Sequence, residues 1–419
     1  MNIEKLCQLV EKEKDGLFSL LSQLIKINSE NFGNYGNEEA CARHIYNFCE
    51  ELGLKCDLYS PLSLEDFEEN PDYFPGRGLE NRYNVSAIWQ GSENINELML
   101  MGHSDTVAIG DLSNWNFDPL CGEVKDGKVF GRGACDDKYA IAAALFLIRL
   151  LKENGFQPKK NLVFAAYCDE ELGGSHGALA AVLKDPCNRI VNMDGKENQI
   201  WHCASGGQVT TYRYHTVDPV DSAEKAAMAI PVVINELKGF AQRRKSELEA
   251  NSFYAGTIIP GTSMRYTEVR AGNNGADLGV GELQFGYYTD KTKEEIYEEL
   301  AEIEKELDAK LAPLGIKGDG FIPYTRFFHY GFCDPECKDI QDMLDAAQEA
   351  TGSQPAVCGS CLSDLSIILK YSKADAYGFG AGRNFFDVGG AHQPNEYIEC
   401  DKLVEYTKTI GAYILKVLG

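Results

Sequence analysis

The chain has 419 residues, more than one hydrophobic core usually holds, so two domains are expected. Hydrophobic residues make up 44% and charged residues 25% of the sequence, a globular composition that excludes a disordered chain. The 64 acidic and 40 basic residues give a formal net charge of -24. Such a surface repels phosphate groups, which excludes nucleic acid and anionic membranes as partners.

The N-terminal segment MNIEKLCQLVEKEKDG is charged and helix-periodic, unlike a secretory signal. No apolar run reaches the length of about 18 residues that a membrane span needs. The 14 cysteines are then expected to be reduced thiols. Together these features predict a cytoplasmic protein.

Two cysteine pairs allow two interpretations. Cys333-x3-Cys337 and Cys358-x2-Cys361 could ligate a structural zinc ion. Because the two spacings differ and match zinc motifs loosely, buried or partly buried thiols are the favoured interpretation.

Two amphipathic helices start the chain, one with apolar residues from Leu6 to Leu24 and one near Asn37–Leu54. The strand KCDLY follows, and residues 61–82, with their Pro, Gly and acidic side chains, predict a long loop over the functional site. Strands and helices then alternate, with NVSAIWQ, ELMLMGH, NLVFAAYCD and RIVNMD as the strands. Because LMLMG and LVFAAY are apolar on both faces, we predict an α/β fold with a mostly parallel sheet covered by helices.

The pattern changes after Asp194. QVTTYRYHTV alternates like a half-exposed strand, GELQFGYYTD predicts another strand, and SAEKAAMAIPVVINELKGF and KEEIYEELAEIEKELDAKL predict helices. These elements predict a smaller α+β domain at 197–312, inserted into an α/β domain that consists of 1–196 and 313–419.

Histidine and acidic side chains follow the predicted strands where the strands end. His103 and Asp105 are two residues apart and share a strand face. The other candidates are Asp136, Asp137, Asp169, Glu170, Glu171 and Asp194. Each is ordinary alone, since a lone His is usually structural and an acidic run is usually solvated. Together they predict a cation site, because buried strands rarely end repeatedly in carboxylates without a cation to neutralise them.

Five motifs carry a resemblance to a known family. GHSDTV, GRGACDDK, DEELGGSHGA, the Asp after RIVNM, and GAHQPNEY resemble the motif set of the dinuclear-zinc amidohydrolases. That family includes acetylornithine deacetylase, succinyl-diaminopimelate desuccinylase, bacterial glutamate carboxypeptidase and the cytosolic dipeptidases. The similarity spans residues 100–397 in the family's order and implies a catalytic α/β domain with an inserted lid or dimerisation domain.

The resemblance implies two zinc ions per chain. His103 and Asp194 resemble the ligands of one ion, and Glu171 and His392 those of the second. Asp136 resembles the carboxylate that bridges both, and members of the family often have a cis peptide bond after it. Because nitrogen and oxygen donors also accept cobalt and manganese, the motifs leave these two metals open.

Two further residues resemble parts of the catalytic machinery. Asp105 is similar to the carboxylate that orients His103, and Glu170 is similar to the general base. Chemistry supports a division of labour between Glu170 and Glu171, since a water shared by two metals needs a separate carboxylate to take its proton.

The sequence departs from the family at several positions. Tyr139 stands where a Gly is usual after the DxK motif. An Arg that binds the substrate carboxylate is missing from its usual lid strand, and Arg265, Arg270 and Arg383 are the candidates. Arg383 is nine residues before His392, although a structural role for it is at least as well supported.

The family's lid histidine, which polarises the scissile carbonyl, also lacks a clean match. His215 in YRYHTVDP is the first candidate and His202 in IWHCASGG the second, and for both an exposed strand histidine is nearly as well supported. The family implies a homodimer formed through the lid, and the strand QVTTYRYHTV favours it if that strand lies at a sheet edge.

These features predict a metal-dependent hydrolase that cleaves an amide bond of a small peptide or N-acyl amino acid, by attack of a metal-bridging water with Glu170 as general base. A catalytically silent metal-containing binding or scaffold protein on the same fold is the alternative. The complete ligand set argues against the alternative.

Overall fold

The computed structural model describes residues 1–254, 263–275 and 277–419. Its helices are α1 Ile3–Ile25, α2 Glu39–Glu51, α3 Lys138–Glu153, α4 His176–Lys184, α5 Ser222–Ala250, α6 Lys293–Leu311, α7 Lys338–Thr351, α8 Leu365–Tyr371 and α9 Cys400–Leu418. Its strands are β1 Lys55–Tyr59, β2 Asn84–Trp89, β3 Asn96–His103, β4 Val124–Lys125, β5 Lys128–Phe130, β6 Asn161–Tyr167, β7 Arg189–Asn192, β8 Gln199–Ala204, β9 Gly206–Thr216, β10 Met264–Asn274, β11 Asp277–Thr289, β12 Ile316–Pro323, β13 Gly331–Phe332, β14 Val357–Gly359, β15 Asp375–Gly380 and β16 Tyr397–Glu399.

The chain divides into two compact units. The first consists of Met1–His202, Phe332–Cys358 and Ile367–Gly419, and the second of Cys203–Gly331 and Gly359–Ser366. The predicted inserted domain, 197–312, ends earlier than the second unit does. The reason is β12, which pairs antiparallel with β9 along most of its length and so belongs to the second unit's sheet.

The first unit is built on a mixed sheet with the strand order β1-β2-β6-β3-β7-β15-β8-β13, and β14 pairs with β8. The four central strands, β6, β3, β7 and β15, are parallel to one another. Antiparallel pairs flank them, β1 with β2 and β2 with β6 on one side and β15 with β8 on the other. This confirms the predicted α/β fold with a mostly parallel sheet.

Burial on both faces explains why the central strands are so apolar. Every residue of β6 is buried, as is every residue of β3 after Asn96. The helix α3 packs against β3, α1 and α9, and the residues from Lys138 to Ile148 along it are all buried. A helix that is apolar around its circumference is stable only inside such a layer.

The second unit contains an antiparallel sheet with the strand order β10-β11-β9-β12. Side chains along β9 alternate between buried and half-buried, so one face of the sheet packs against α5 and α6. The segment QVTTYRYHTV forms most of β9, which pairs with β11 on one side and β12 on the other. The expectation that this strand lies at an edge is therefore wrong, because alternation marks a half-buried face and does not distinguish edge from centre.

No helix in the described ranges is both long enough and apolar enough to cross a membrane.

Candidate metal centre

Three of the segments that carry candidate ligands lie at the ends of parallel strands of the first unit. His103 is the last residue of β3, and Asp194 comes two residues after β7 ends. Asp169 stands two residues beyond β6, and Glu170 and Glu171 follow it. Because these strands are parallel, their carboxyl ends lie at one edge of the sheet, where open α/β sheets bind ligands.

The carboxylate of Asp136 lies between two histidines. His103 Nε2 is 3.1 Å from Asp136 Oδ1, and His392 Nε2 is 3.1 Å from Asp136 Oδ2. The peptide bond between Asp136 and Asp137 is cis. The two imidazoles therefore point their Nε2 atoms at different oxygens of one side chain.

Glu171 completes the group. Its Oε2 lies 2.9 Å from His392 Nε2, and its Oε1 accepts a hydrogen bond of 3.0 Å from the backbone N–H of Val107. One ligand atom each from His103, Asp136 and Glu171 lies within 4.8 Å of the others, close enough to hold a single ion.

Asp105 organises the segment around this group. Its backbone carbonyl accepts a hydrogen bond of 2.9 Å from His103 Nδ1, which leaves Nε2 directed at Asp136. Its carboxylate accepts hydrogen bonds from the backbone N–H groups of Glu170, at 3.2 Å, and Glu171, at 3.0 Å. The side chain is fully buried. One buried carboxylate thus fixes the backbone of two candidate functional residues.

Asn31 is a residue that sequence reasoning missed. Its Nδ2 donates to Asp105 Oδ2 at 2.8 Å and to the backbone carbonyl of Glu171 at 2.9 Å. Asn31 precedes the second helix in a short irregular segment, so no periodic pattern marks it. The side-chain amide of Asn31 therefore connects the segment before α2 to the loop that carries Asp169, Glu170 and Glu171.

Asp169 lies beneath that loop in a buried ionic network. Its Oδ2 is 2.6 Å from His176 Nδ1, and its Oδ1 is 2.7 Å from Arg77 Nη2 and 3.0 Å from Arg82 Nη1. Arg82 also pairs with Glu38, so the network joins three segments of the chain, around residues 38, 77–82 and 169–176. The segment 61–82 was predicted as a loop, but the structural role of its two arginines was not.

Two opposing effects set the charge of His103. Burial would lower its pKa, but hydrogen bonds to Asp105 and Asp136 and the negative charge of Glu170 outweigh burial and raise the pKa well above its ordinary value. For Asp136, burial would raise the pKa, but the two histidines lower it below the ordinary value. The carboxylate is therefore ionised.

His392 behaves like His103. Partial loss of hydration opposes its charge, yet Glu171 and Asp136 raise its pKa well above the ordinary value. The neighbouring Asp137 differs, since burial raises the pKa of its carboxyl, and the negative charge of Asp194 adds to the effect. This influence also indicates that Asp194 lies near the turn that carries Asp136.

Tyr139, the departure from the family pattern, has a packing role. Its hydroxyl lies 2.9 Å from the backbone oxygen of Met193 and 3.2 Å from that of Gly195, and accepts a hydrogen bond of 3.0 Å from the backbone N–H of Ala381. The side chain is fully buried. It therefore joins the segment around Asp194 to the end of β15.

Glu396 joins the turn that carries Asp136 to the segment that carries His392. Its carboxylate accepts a hydrogen bond of 2.9 Å from the backbone N–H of Cys135 and one of 2.5 Å from Arg132 Nη1. Burial raises the pKa of Glu396, although Arg132 opposes the shift. The GAHQPNEY motif thus supplies a supporting residue as well as a candidate ligand.

The candidate substrate-binding residues have their own partners. Arg383 pairs with Glu399 and lies 4.1 Å over the ring of Tyr397, an arrangement that favours a structural role. His202 Nδ1 is 3.1 Å from the backbone oxygen of Cys333.

In the second unit, Nδ1 of the half-exposed His215 is 2.8 Å from Asp319 Oδ1. Arg270 pairs with Glu282, and Arg265 is exposed on β10.

The donor set fits divalent metal ions of the zinc, cobalt and manganese group. Imidazole nitrogens and carboxylate oxygens are ligands that these ions accept. Two histidines whose pKa values are raised beside the carboxylate of Asp136, whose pKa is lowered, indicate that a positive charge is stabilised at this place. A bound cation would supply that charge and leave both imidazoles neutral.

The chain belongs to peptidase family M20/M25/M40, whose family model matches residues 99–416. It is therefore a metal-dependent hydrolase of the peptidase and amidohydrolase class, as the motifs predicted.

Similar proteins cover both the full length and part of the chain. An uncharacterized metallohydrolase of Methanocaldococcus jannaschii is 23% identical over 92% of this chain and 95% of its own. The N-formyl-4-amino-5-aminomethyl-2-methylpyrimidine deformylase of Halalkalibacterium halodurans is 29% identical over 49% of this chain and 43% of its own. A di-peptidase of Saccharomyces cerevisiae has the same fold, with a TM-score of 0.72 at 15% identity over 99% of this chain and 98% of its own.

Proposed function

We propose that the chain hydrolyses an amide bond in a small peptide or N-acyl amino acid, with two zinc ions as cofactors. The observation that carries the proposal is the Asp136 carboxylate, whose two oxygens each lie 3.1 Å from a different histidine, His103 or His392. A carboxylate with one imidazole at each oxygen is suited to bridge two cations.

Five residues would hold the ions. His103 and Asp194 would bind one ion, Glu171 and His392 would bind the other, and Asp136 would bind both. Bound metal ions would supply Lewis acidity and lower the pKa of a water that they share. Cobalt or manganese would serve the same donors, so zinc is the part of this proposal that rests on family resemblance.

Glu170 would take the proton of the attacking water on a carboxylate oxygen and deliver it to the leaving amine. The carboxylate of Asp105 accepts a hydrogen bond of 3.2 Å from the backbone N–H of Glu170. This bond positions Glu170 through its backbone and does not involve the Glu170 carboxylate. The negative charge of Glu170 is one of the contributions that raise the pKa of His103, whereas burial lowers it. That influence supports a position of Glu170 near the proposed ligands.

The related proteins suggest two substrate types. The Halalkalibacterium halodurans deformylase acts, by its name, on an N-formyl group, and the Saccharomyces cerevisiae protein is described as a di-peptidase. An N-acyl amide and a dipeptide share a planar carbonyl attached to nitrogen, so the same proposed machinery serves both. The proposal therefore covers both bond types.

A paired measurement of metal content and turnover tests the proposal. The purified chain would be assayed on a panel of dipeptides, tripeptides and N-acyl amino acids, with and without added Zn²⁺. We expect about two zinc ions per chain and hydrolysis of at least one class of amide, abolished by a chelator and restored by Zn²⁺. Stoichiometric metal without turnover on any substrate would instead support the silent binding protein.

We further propose a homodimer formed through β10 of the second unit. Within the described residues β10 is the end strand of its sheet, and most of its side chains are exposed. A strand edge of this length can pair with a second copy. Sedimentation at micromolar concentration should show a dimer that Val269→Pro weakens, because proline removes a backbone donor. A monomer in the unsubstituted chain would contradict this proposal.

A further inference from the structure

A second group of metal-ligating side chains lies at the opposite end of the first unit's parallel strands. Asp375 is the first residue of β15, whereas the candidate metal centre lies beyond the carboxyl ends of these strands. Cys333 directly follows β13, and Cys337 caps the start of α7. One ligand atom from each of these three residues lies within 4.8 Å of the others.

The distance between the sulfurs fits a shared metal ion. Cys333 Sγ and Cys337 Sγ are 3.6 Å apart. Two zinc–sulfur bonds of about 2.3 Å at a tetrahedral angle would place the sulfurs about 3.8 Å apart. A disulfide bond needs a separation of only about 2 Å, so forming one would require the sulfurs to move much further than metal binding would.

The surrounding backbone holds Cys333 and Cys337 in place. The backbone N–H of Cys333 donates to the His202 carbonyl at 2.7 Å, and His202 Nδ1 lies 3.1 Å from the Cys333 carbonyl. The backbone N–H of Cys337 donates to Asp334 at 2.9 Å, which closes a turn between the two cysteines. A fixed turn reduces the conformational entropy that metal binding has to overcome.

We propose that Cys333, Cys337 and Asp375 form a zinc site separate from the hydrolytic centre. Two thiol protons leave to solvent as two sulfur–metal bonds form, and one Asp375 oxygen supplies the third ligand. Asp375 is exposed and Cys333 is buried, so the fourth position of a tetrahedral ion faces water. Thiolates favour borderline and soft ions such as Zn²⁺ and Cd²⁺ over Mg²⁺ and Ca²⁺.

The site differs from the four-cysteine arrangement that the sequence allowed. Cys358 belongs to the first unit and its Sγ donates to Gln199 Oε1 at 3.4 Å, whereas Cys361 belongs to the second unit. The third ligand is instead an aspartate from β15. A bound ion would connect the start of α7 to the start of that strand.

Titration with Cd²⁺ tests the proposal, because cadmium–thiolate bonds absorb in the ultraviolet whereas nitrogen and oxygen ligands of the hydrolytic centre do not give this band. The full chain, reduced and freed of metal by a chelator, should show a saturable band whose height corresponds to one Cd²⁺ bound by two thiolates. Cys333→Ser and Cys337→Ser should each lose about half of the band or more, and Zn²⁺ should displace the bound Cd²⁺.

Cys358→Ser is the matched control and should leave the band unchanged. Asp375→Asn should keep the band but require more Cd²⁺ to saturate it, because only an oxygen ligand is weakened. Circular dichroism of each variant confirms that it is folded. No saturable band, or a band that survives in both Cys333→Ser and Cys337→Ser, would overturn the proposal whatever the result of the hydrolysis assays.

Discussion

The two ends of the parallel strands in the first unit carry different donor atoms. At the carboxyl end, His103, Asp136 and Glu171 offer nitrogen and oxygen, and at the amino end Cys333 and Cys337 offer sulfur. The two groups are chemically distinct and lie at opposite ends of one sheet. Donor type, more than position on the sheet, decides which ions and which chemistry each end can serve.

The supporting residues differ as well. The group at the carboxyl ends of the strands is supported by the buried carboxylates of Asp105 and Asp169, each of which accepts hydrogen bonds from several side-chain or backbone donors. The amino-end group rests on backbone hydrogen bonds around Cys333. A site that handles protons during turnover needs charged groups in fixed positions, whereas a site that only binds an ion can rely on a stable turn.

Replacing the proposed base should give the largest effect. In Glu170→Gln the shape is kept and the proton acceptor is lost, so turnover should fall by about 10²–10⁴ while metal content and unfolding midpoint stay constant. Steady-state kinetics and metal analysis on the same samples measure both. Glu153→Gln, on the exposed end of α3, is the control. Near-normal turnover, or loss of metal, would show that Glu170 is not the base.

Removing the buried negative charge of Asp169 should lower the free energy of unfolding. Asp169→Asn removes the buried carboxylate that pairs with both Arg77 and Arg82 and leaves Arg82 with Glu38 alone, which should cost about 3–5 kcal/mol of unfolding free energy, measured with denaturant. The exposed Asp66→Asn is the control. A loss below about 1 kcal/mol would mean that the arginines find other partners.

The same residue predicts a pH dependence. Burial would raise the pKa of Asp169, but Arg82, His176 and Arg77 outweigh it and lower the pKa below 3.8. A lowered folded-state pKa stabilises the fold above the unfolded-state value and loses this contribution as pH falls through the folded-state value. The unsubstituted chain should therefore lose stability below about pH 4 more steeply than Asp169→Asn does. Parallel unfolding slopes for the two would contradict this expectation.

Removing one imidazole should separate the two proposed ions. His392→Ala should lose part of the bound metal and regain part of its activity in excess Zn²⁺, because Glu171 and Asp136 remain. The side chain is 38% exposed, so the unfolding free energy should change little. His329→Ala is a control from the second unit. Full metal occupancy in His392→Ala would show that His392 is not a ligand.

The smallest effect is expected at Tyr139. Tyr139→Phe removes a buried hydroxyl that contacts Met193, Gly195 and Ala381, which should cost about 1–2 kcal/mol of stability. Tyr35→Phe, at an exposed ring, is the control. An unchanged unfolding midpoint would mean that the backbone groups pair elsewhere.

The sequence predicted the elements and candidate ligands whose signals are local. Carboxylates after apolar strands are visible as short motifs, and the α/β fold follows from the two-sided apolar strands. Asn31 and Asp105 are 74 positions apart and contact each other only through the fold, so no spacing predicts their hydrogen bond. The ion pairs of Arg77 and Arg82 with Asp169 could not be predicted for the same reason.

The second unit was harder to predict because its signals depend on neighbours. The alternation along β9 does not show that the strand is central, and β12, which the sequence assigned to the α/β domain, joins the second unit's sheet only through its pairing with β9. Pro231 lies inside α5, which continues to Ala250, whereas the sequence predicted a helix only over SAEKAAMAIPVVINELKGF. Packing against the sheet outweighs the local cost of a proline inside a helix.

The position of β15 also constrains how the molecule assembles on the ribosome. β15 pairs with β7 on one side and β8 on the other, although both are synthesised long before it. A nascent chain that ends before residue 375 therefore leaves the edges of both strands open. Every residue of the second unit has been translated by then, and domains generally fold as units during synthesis. The inserted unit can thus fold while the sheet of the first unit is still incomplete, and His392 can reach Asp136 only after β15 has been translated.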